Sequence, residues 1–229
     1  MVALSDAVSI SRGGDNFHEL AIKADGTVWG WGYSASGQLG TPNVYQTPTP
    51  IPVPGLHDIV QVGAGTYSSV ALTADGKVLT LGDNSYGQRG ISYYHPAHIV
   101  SEVPGLDCVV SIAAGSYHVA VVKSDGTVWD WGYDIEGALG RGIFVGSSFS
   151  PGQVPGISNA VSVAAGYSHT LVLLDDGTVL AFGGNGQGQL GDGTLMSRAT
   201  PAPVPNLSGV SAIRAGPARH ASTVVGDVV

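Results

Sequence analysis

A histidine returns through this chain at a near-constant interval, at His18, His118, His169 and His220, and Ser68 fills the same slot in between. Imidazole is a common metal ligand, so histidines repeated in this way would form a metal centre if their rings converged. Copies about fifty residues apart, one to a repeat, stand too far from one another to share an ion, and no metal site is expected. Aspartates recur with the same interval, at Asp25, Asp75, Asp125 and Asp176. Acid/base pairs of the kind that hydrolyse glycosides need carboxyl groups roughly 5–10 Å apart, which turn residues on separate repeats do not meet. The run Gly183-Gly184-Asn185-Gly186-Gln187-Gly188 has the glycine content of a phosphate loop. It lacks a Gly-Lys-Ser/Thr ending and a following helix whose N-terminal amides would hold the phosphate. The one cysteine, Cys108, lies in the apolar run Cys108-Val109-Val110-Ser111-Ile112 and reads as an inert core thiol. A single cysteine permits no intrachain disulfide and no Cys-x-x-Cys zinc site. With no nucleophile–base pair and no metal-ligand spacing, the sequence points to no catalytic residues, no cofactor and a non-enzymatic role.

Each of these residues belongs to a repeat, and the repeat is the main signal. Asp25-Gly26, Asp75-Gly76, Asp125-Gly126 and Asp176-Gly177 follow one another at 50, 50 and 51 residues, each between apolar runs such as Leu20-Ala21-Ile22 and Thr27-Val28-Trp29. Asp-Gly between β-rich segments predicts a two-residue hairpin turn with both central residues at positive φ. In phase with it come small-residue tracts upstream (Gly63-Ala64-Gly65, Ala113-Ala114-Gly115, Ala164-Ala165-Gly166) and a glycine at the end of the next strand (Gly32, Gly82, Gly132, Gly183). A Gly-Gln-Leu-Gly element or variant follows at 37–40, 87–90, 137–140 and 188–191, and Val-Pro-Gly or its equivalent at 53–55, 103–105, 154–156 and 204–206. The units are 8–57, 58–107, 108–158, 159–209 and a partial 210–229, together a single repeat domain over 1–229. Each predicts about four short strands, the last a short, irregular, Pro-rich edge strand. A four-stranded unit in tandem is the pattern of a propeller blade, so the fold class is all-β. Inner strands would converge at the Gly/Ala tracts. Trp29, Trp31, Trp129 and Trp131 would pack between blades, where repeats two and four carry Leu79/Leu81 and Leu180/Phe182.

Composition narrows the function classes. With 43% hydrophobic and 11% charged residues the chain is not disordered. A net charge of −8 without a run of Lys or Arg repels phosphate backbones, so nucleic acid is not an expected partner. No apolar stretch approaches the roughly 18 residues of a membrane span, and residues 1–11 show no secretory signal. A soluble protein of unassigned compartment is expected.

The recurring Ala-Gly-x-x-His, Asp-Gly-x-Val-x-x-x-Gly and Gly-Gln-Leu-Gly resemble the repeat of the regulator-of-chromosome-condensation family. The third unit carries them as Ala114-Gly115-Ser116-Tyr117-His118, Asp125-Gly126-Thr127-Val128-Trp129-Asp130-Trp131-Gly132 and Gly137-Ala138-Leu139-Gly140. The resemblance covers nearly the whole chain and implies a β-propeller of that type, with about four four-stranded blades plus a partial blade. It also implies that the histidine is structural and hydrogen-bonds within its own blade. Family members typically close a seven-bladed ring, whereas here the fifth unit stops at its hairpin, with Arg214, Gly216, His220 and Asp227 falling with Arg12, Gly14, His18 and Asp25. Either the chain is a piece of a longer protein, or chains combine through open blade ends as a homo-oligomer. Members that exchange nucleotide on a small GTPase use a protruding hairpin insertion, for which repeats of 50 or 51 residues leave no room. The founding member's nucleosome binding uses basic segments, which are lacking here.

Loops whose sequence varies while the repeat fixes their position are the better functional candidates. After the Gly-Gln-Leu-Gly element stand Tyr45, then Tyr93, Tyr94 and His95, then Phe144 and Phe149, then Leu195 and Met196; before it stand Tyr33, Tyr86, Tyr133, Asp134 and Glu136. Aromatic side chains at one end of a rigid scaffold either anchor a protein partner or pack beneath their own loops. The leading expectation is a non-enzymatic protein-binding scaffold with these loops as its surface. The alternatives are a regulator of a partner enzyme, by small-GTPase nucleotide exchange or by inhibition, and a structural self-assembly module.

Overall fold

The structure is a computed structural model and describes residues 4–11, 17–92, 94–216 and, for backbone alone, 223–226. Tyr93, Arg12, Gly14, His220 and Asp227, all singled out in the sequence, lie outside the described residues. Four antiparallel four-stranded sheets succeed one another, each with its strands in chain order. The first consists of β1 (Ala7–Ile10), β2 (His18–Lys23), β3 (Val28–Tyr33) and β4 (Gln46–Pro52). The second holds β5 (Ile59–Ala64), β6 (Ser68–Thr73), β7 (Val78–Gly82) and β8 (Ser101–Glu102). The third holds β9 (Val109–Ala114), β10 (His118–Lys123), β11 (Val128–Tyr133) and β12 (Ser147–Gln153). The fourth holds β13 (Ala160–Ala165), β14 (His169–Leu174), β15 (Val179–Gly183) and β16 (Arg198–Pro203), and β17 (Val210–Arg214) pairs with β18 (Thr223–Gly226) to begin a fifth. These are propeller blades, and among the described residues they do not close into a ring. The fourth strand runs six or seven residues in three blades and only two in the second.

Strand alternation explains why blades stack. In a central strand such as β10, Val119 and Val121 point back into a core shared with Val70, Leu72 and Val78 of the second blade, while Ala120 and Val122 point forward to Val163, Val172 and Phe182 of the fourth. Every described joint between blades has such a core, and the last joins Leu171 and Leu173 to Val210 and Ile213. The inner tracts do converge: a Cβ added to Gly63 would lie 3.0 Å from the Ala114 Cβ. Trp131 is fully buried, its Nε1–H donating to the Gln88 carbonyl of the second blade at 3.1 Å. Trp129 is half-buried against the same joint. Trp31, the first-blade counterpart of Trp131, is only half-buried, because among the described residues no blade stands before it and Val8 and Ile10 on β1 are exposed.

Two expectations need correction. The Asp-Gly turn is not a two-residue hairpin turn, since only its glycine has positive φ (77° at Gly26, 78° at Gly126). Gly26 N–H donates to Lys23 C=O at 2.9 Å and Lys23 N–H to Thr27 C=O at 2.9 Å, a three-residue loop whose left-handed glycine forms a bulge. Asp25 is held out of the left-handed region because its Oδ1 accepts from Thr27 N–H at 3.0 Å and from the Thr27 hydroxyl at 2.6 Å. These bonds, before any other cause, hold its carboxyl below the usual carboxylate range. Cys108 is not a core thiol either. It is exposed and has φ of 57°, at the foot of β9, where the second blade has Asp58 with φ of 55°. The apolar run behind it starts one residue later.

Candidate functional site

Hairpin geometry puts the loops between first and second strands and between third and fourth strands at one end of every blade, here called the upper end. The Asp-Gly turns and Val-Pro-Gly crossings lie at the lower end. The upper third-to-fourth loops share one internal scaffold. The residue two past the strand-ending glycine accepts from the backbone N–H of the Gly-Gln-Leu-Gly leucine or its replacement: Ser34 from Leu39 at 3.4 Å, Asn84 from Arg89 at 3.0 Å, Asp134 from Leu139 at 3.0 Å, Asn185 from Leu190 at 2.9 Å. Asp134 uses its other oxygen on Val145 N–H at 2.7 Å, so it holds the loop tip that presents Phe144. Asp134 is buried, and each of its carboxylate oxygens already accepts from a backbone amide of its own loop, which gives it a positioning role.

Each tip carries an exposed apolar side chain: Tyr45, Tyr94, Phe144, and Leu195 with Met196, Tyr94 being 93% exposed. Tyr94, His95 and Phe149 come together around a cleft of about 390 Å³ between the second and third blades. Tyr45 lines a smaller one of about 260 Å³ between the first and second, with His98 opposite. Phe144 lines neither of these clefts. His95 is partly tied down, its Nδ1 lying 3.0 Å from the Ser101 hydroxyl and its carbonyl accepting from the buried Arg89 at 3.1 Å. Arg89 replaces the usual leucine, and its guanidinium also donates to the carbonyls of Pro96 and Ile99 and to Ser101 Oγ.

Tyr133 is half-buried, stacked on Tyr86 at 4.7 Å and 15°. It leads to a belt of rings that the loop reading missed. Phe17, Tyr67, Tyr117 and Tyr167, one from each first-to-second loop, follow at centroid spacings of 5.8, 6.4 and 6.3 Å. Tyr33 and Tyr86 flank them, at 6.1 Å from Tyr67 and 5.5 Å from Tyr117. Burial, and then the neighbouring Tyr67, Tyr167 and Tyr86, push the Tyr117 hydroxyl pKa upward. The signal was present in the sequence: these rings stand one or two places before the repeated histidine slot. Glu136, with φ of 55°, is exposed and accepts from the Ser168 hydroxyl of the fourth blade at 3.1 Å.

The resemblance implied bonds within each blade, but His18 and His118 bond to the next blade instead. His18 Nε2 meets Ser69 Oγ of the next blade at 2.8 Å, and His118 Nε2 meets Thr170 Oγ1 of the next at 3.0 Å. Each hydroxyl donates back, Ser69 to Gln38 C=O at 2.8 Å and Thr170 to Ala138 C=O at 2.9 Å. The hydroxyl oxygen can then only accept from the imidazole, which fixes the proton on Nε2. Burial lowers the pKa of His18 to about 4, of His118 to about 3 with help from His169, and of His169 to about 4. Inside the third blade Arg141 lies 2.9 Å (Nε) and 2.7 Å (Nη2) from Asp130 Oδ1, yet burial pushes the Asp130 carboxyl up. Among the described residues no three His, Cys, Asp or Glu side chains are placed to hold a metal ion, and no helix is long and apolar enough to cross a membrane.

The family model for the RCC1-like domain matches residues 2–228. Human WBSCR16 is similar in structure, with a TM-score of 0.83 and 24% identity over 96% of this chain and 58% of that one. Prp20p from Saccharomyces cerevisiae, whose structure was described with its binding properties to Gsp1p and histones, gives 0.79 and 22% over 92% of this chain and 54% of that one. The mitochondrial RCC1 domain-containing protein RUG3 of Arabidopsis thaliana is 34% identical over 82 residues, 35% of this chain and 18% of that protein. The chain thus spans little more than half the length of the solved structures it matches.

Proposed function

The chain belongs to the RCC1-like domain family, and on that footing we propose that it is a non-enzymatic scaffold that binds another protein through its upper face. The observation that carries this reading is the exposed apolar tip on each complete blade, from Tyr45 to Met196, held by a loop whose backbone is bonded from within. Large apolar side chains on rigid supports lose little entropy when a partner covers them, which is how interface anchors work. Prp20p, with a similar fold, was described with protein partners, which supports the reading by analogy. The test is cross-linking capture with the chain, beside a Tyr94→Ala/Phe144→Ala variant with unchanged melting temperature. Loss of the captured protein supports the proposal, and equal capture by both overturns it.

Self-association is a second reading, favoured by the exposed Val8 and Ile10 and the half-buried Trp31 on the first blade. Light scattering at micromolar concentration tests it. A dimer mass that Ile10→Asp reduces to a monomer supports it, and a monomer from the start removes it.

A further inference from the structure

The upper face carries two kinds of aromatic surface: separate tips at its rim and a continuous belt of rings nearer the inner strands. Along the inner row, Tyr67 follows Phe17 by 5.8 Å, Tyr117 follows Tyr67 by 6.4 Å and Tyr167 follows Tyr117 by 6.3 Å. Alternate residues of an extended peptide lie roughly 6.5 Å apart on one side. One ring therefore matches every second residue of such a strand. The belt is interleaved with carboxylates. Asp83 holds the slot that is tyrosine at Tyr33 and Tyr133; its N–H donates to Tyr67 C=O at 2.9 Å, and its Oδ1 accepts from the Ser85 hydroxyl at 2.7 Å and its Oδ2 from Gln88 Nε2 at 2.8 Å, so what it adds to the belt is charge. Glu136 stands exposed beside Ser168, next in sequence to Tyr167.

Among the described residues the cations are placed elsewhere. Lys23, Lys77 and Lys123 stand at the lower turns, and Lys23 and Lys77 are paired there with Asp6 and Glu102. Arg89, Arg141 and Arg198 direct their guanidinium groups to partners within their own blades. Arg214 is on β17, beyond the four inner rings. Among the described residues the surface thus combines aromatic rings with negative charge, on a chain of net charge −8.

We propose that this belt is the seat of an extended, arginine-bearing peptide segment of the partner, with alternate guanidinium groups stacked on the rings and drawn in by Asp83 and Glu136. Guanidinium is planar and weakly hydrated, so it stacks on aromatic faces and also forks onto carboxylates, which an ammonium does less well. The inference rests on the scaffold reading and deepens it by giving the partner's chemistry.

Fluorescence anisotropy of the full chain with a fluorescein-labelled (Arg-Gly)6 peptide is the test, with (Lys-Gly)6, (Glu-Gly)6 and a uridine oligonucleotide as comparison probes. The expected result is that (Arg-Gly)6 binds about tenfold tighter than (Glu-Gly)6 and several-fold tighter than (Lys-Gly)6. Tyr86→Ala/Tyr133→Ala should weaken it about tenfold and Glu136→Gln about threefold, with melting temperatures within a few degrees of the parent. Glu102→Gln, on the lower side, should leave it unchanged. If Glu102→Gln weakens binding as much as the double tyrosine variant, the attraction is general to an acidic chain and the proposal fails. Tighter binding of the oligonucleotide, or equal binding of all peptides, overturns it too. Should these results fail while Tyr94→Ala/Phe144→Ala still abolishes partner capture, the scaffold reading stands and only the arginine chemistry falls.

Discussion

The histidines are best understood one at a time. A buried imidazole whose pKa is about 3 to 4 is neutral in the folded chain, while an unfolded histidine titrates near 6.5. Below pH 6.5 the unfolded chain binds more protons, so stability is complete above that pH and is lost as pH falls toward 4. Each fully titrating histidine contributes a slope of about 1.4 kcal/mol per pH unit in that window. Asp130, pushed upward by burial, works in the opposite sense and offsets part of it. Melting followed by circular dichroism should therefore show a marked loss between pH 6.5 and pH 4.5; a flat profile there would contradict the neutral, buried assignment. Asp134 makes a second residue-scale prediction. Asp134→Ala leaves two backbone amides without their acceptor, at about 1–3 kcal/mol each, and should also free the Phe144 loop to proteolysis. Neither role follows from residue type alone. Asp134 was legible only as a polar loop residue, because the slot it shares with Ser34, Asn84 and Asn185 is recognisable by hydrogen bonding rather than by identity.

At the scale of the element, the lower turns do more than reverse the chain. The carbonyl of each turn glycine accepts from the first strand of the next blade, Gly26 from Ile59 at 3.1 Å, Gly76 from Val109 at 3.0 Å and Gly126 from Ala160 at 3.0 Å. A Cβ on Gly126 would lie 2.2 Å from the Ser158 carbonyl oxygen, at a φ of 78°. Gly126→Ala should cost about 2–4 kcal/mol, from left-handed strain plus displacement of that neighbour, and lower the melting temperature by roughly 5–15 °C. A drop under 2 °C would show that the joint gives way easily. Strand order and the interval of the turns were legible in the sequence, because period-2 apolar runs and in-phase glycines report backbone directly. The turn class was not, since Asp-Gly serves two loop lengths, and the second blade forms the same three-residue loop with Lys77 where the others have threonine. Cys108 was misplaced for a similar reason: an apolar neighbourhood does not tell which residue of a run enters the sheet.

The whole molecule is a row of blades, each stabilised by its neighbours, so resistance to opening should depend on position. The second and third blades are covered on both faces, whereas β1 is exposed along its length and β17 and β18 form only half a sheet. Amide hydrogen exchange should be slowest in β6, β10 and β14 and fastest in β1 and β17. Uniform protection would mean that the row opens as one unit. The number of blades and their succession were legible from counting. The aromatic belt was not, because its rings come from two kinds of loop and meet only when blades stand side by side.

The bond from histidine to the next blade's hydroxyl gives the row a direction, and the second blade shows what that entails. It has Ser68 where its neighbours have His18 and His118, and the repeat position that Ser69 and Thr170 fill at the other joints is Val119 in the third blade. Donor and acceptor are lost together. Repeats of nearly equal length are therefore not interchangeable parts. Placing the second repeat directly before the fourth would leave Thr170 without its imidazole, and placing the first before the third would strand His18 against Val119. A history of duplication and shuffling among such units would have to move or mutate across each seam in pairs. The permitted recombinants are those that keep both halves of a seam.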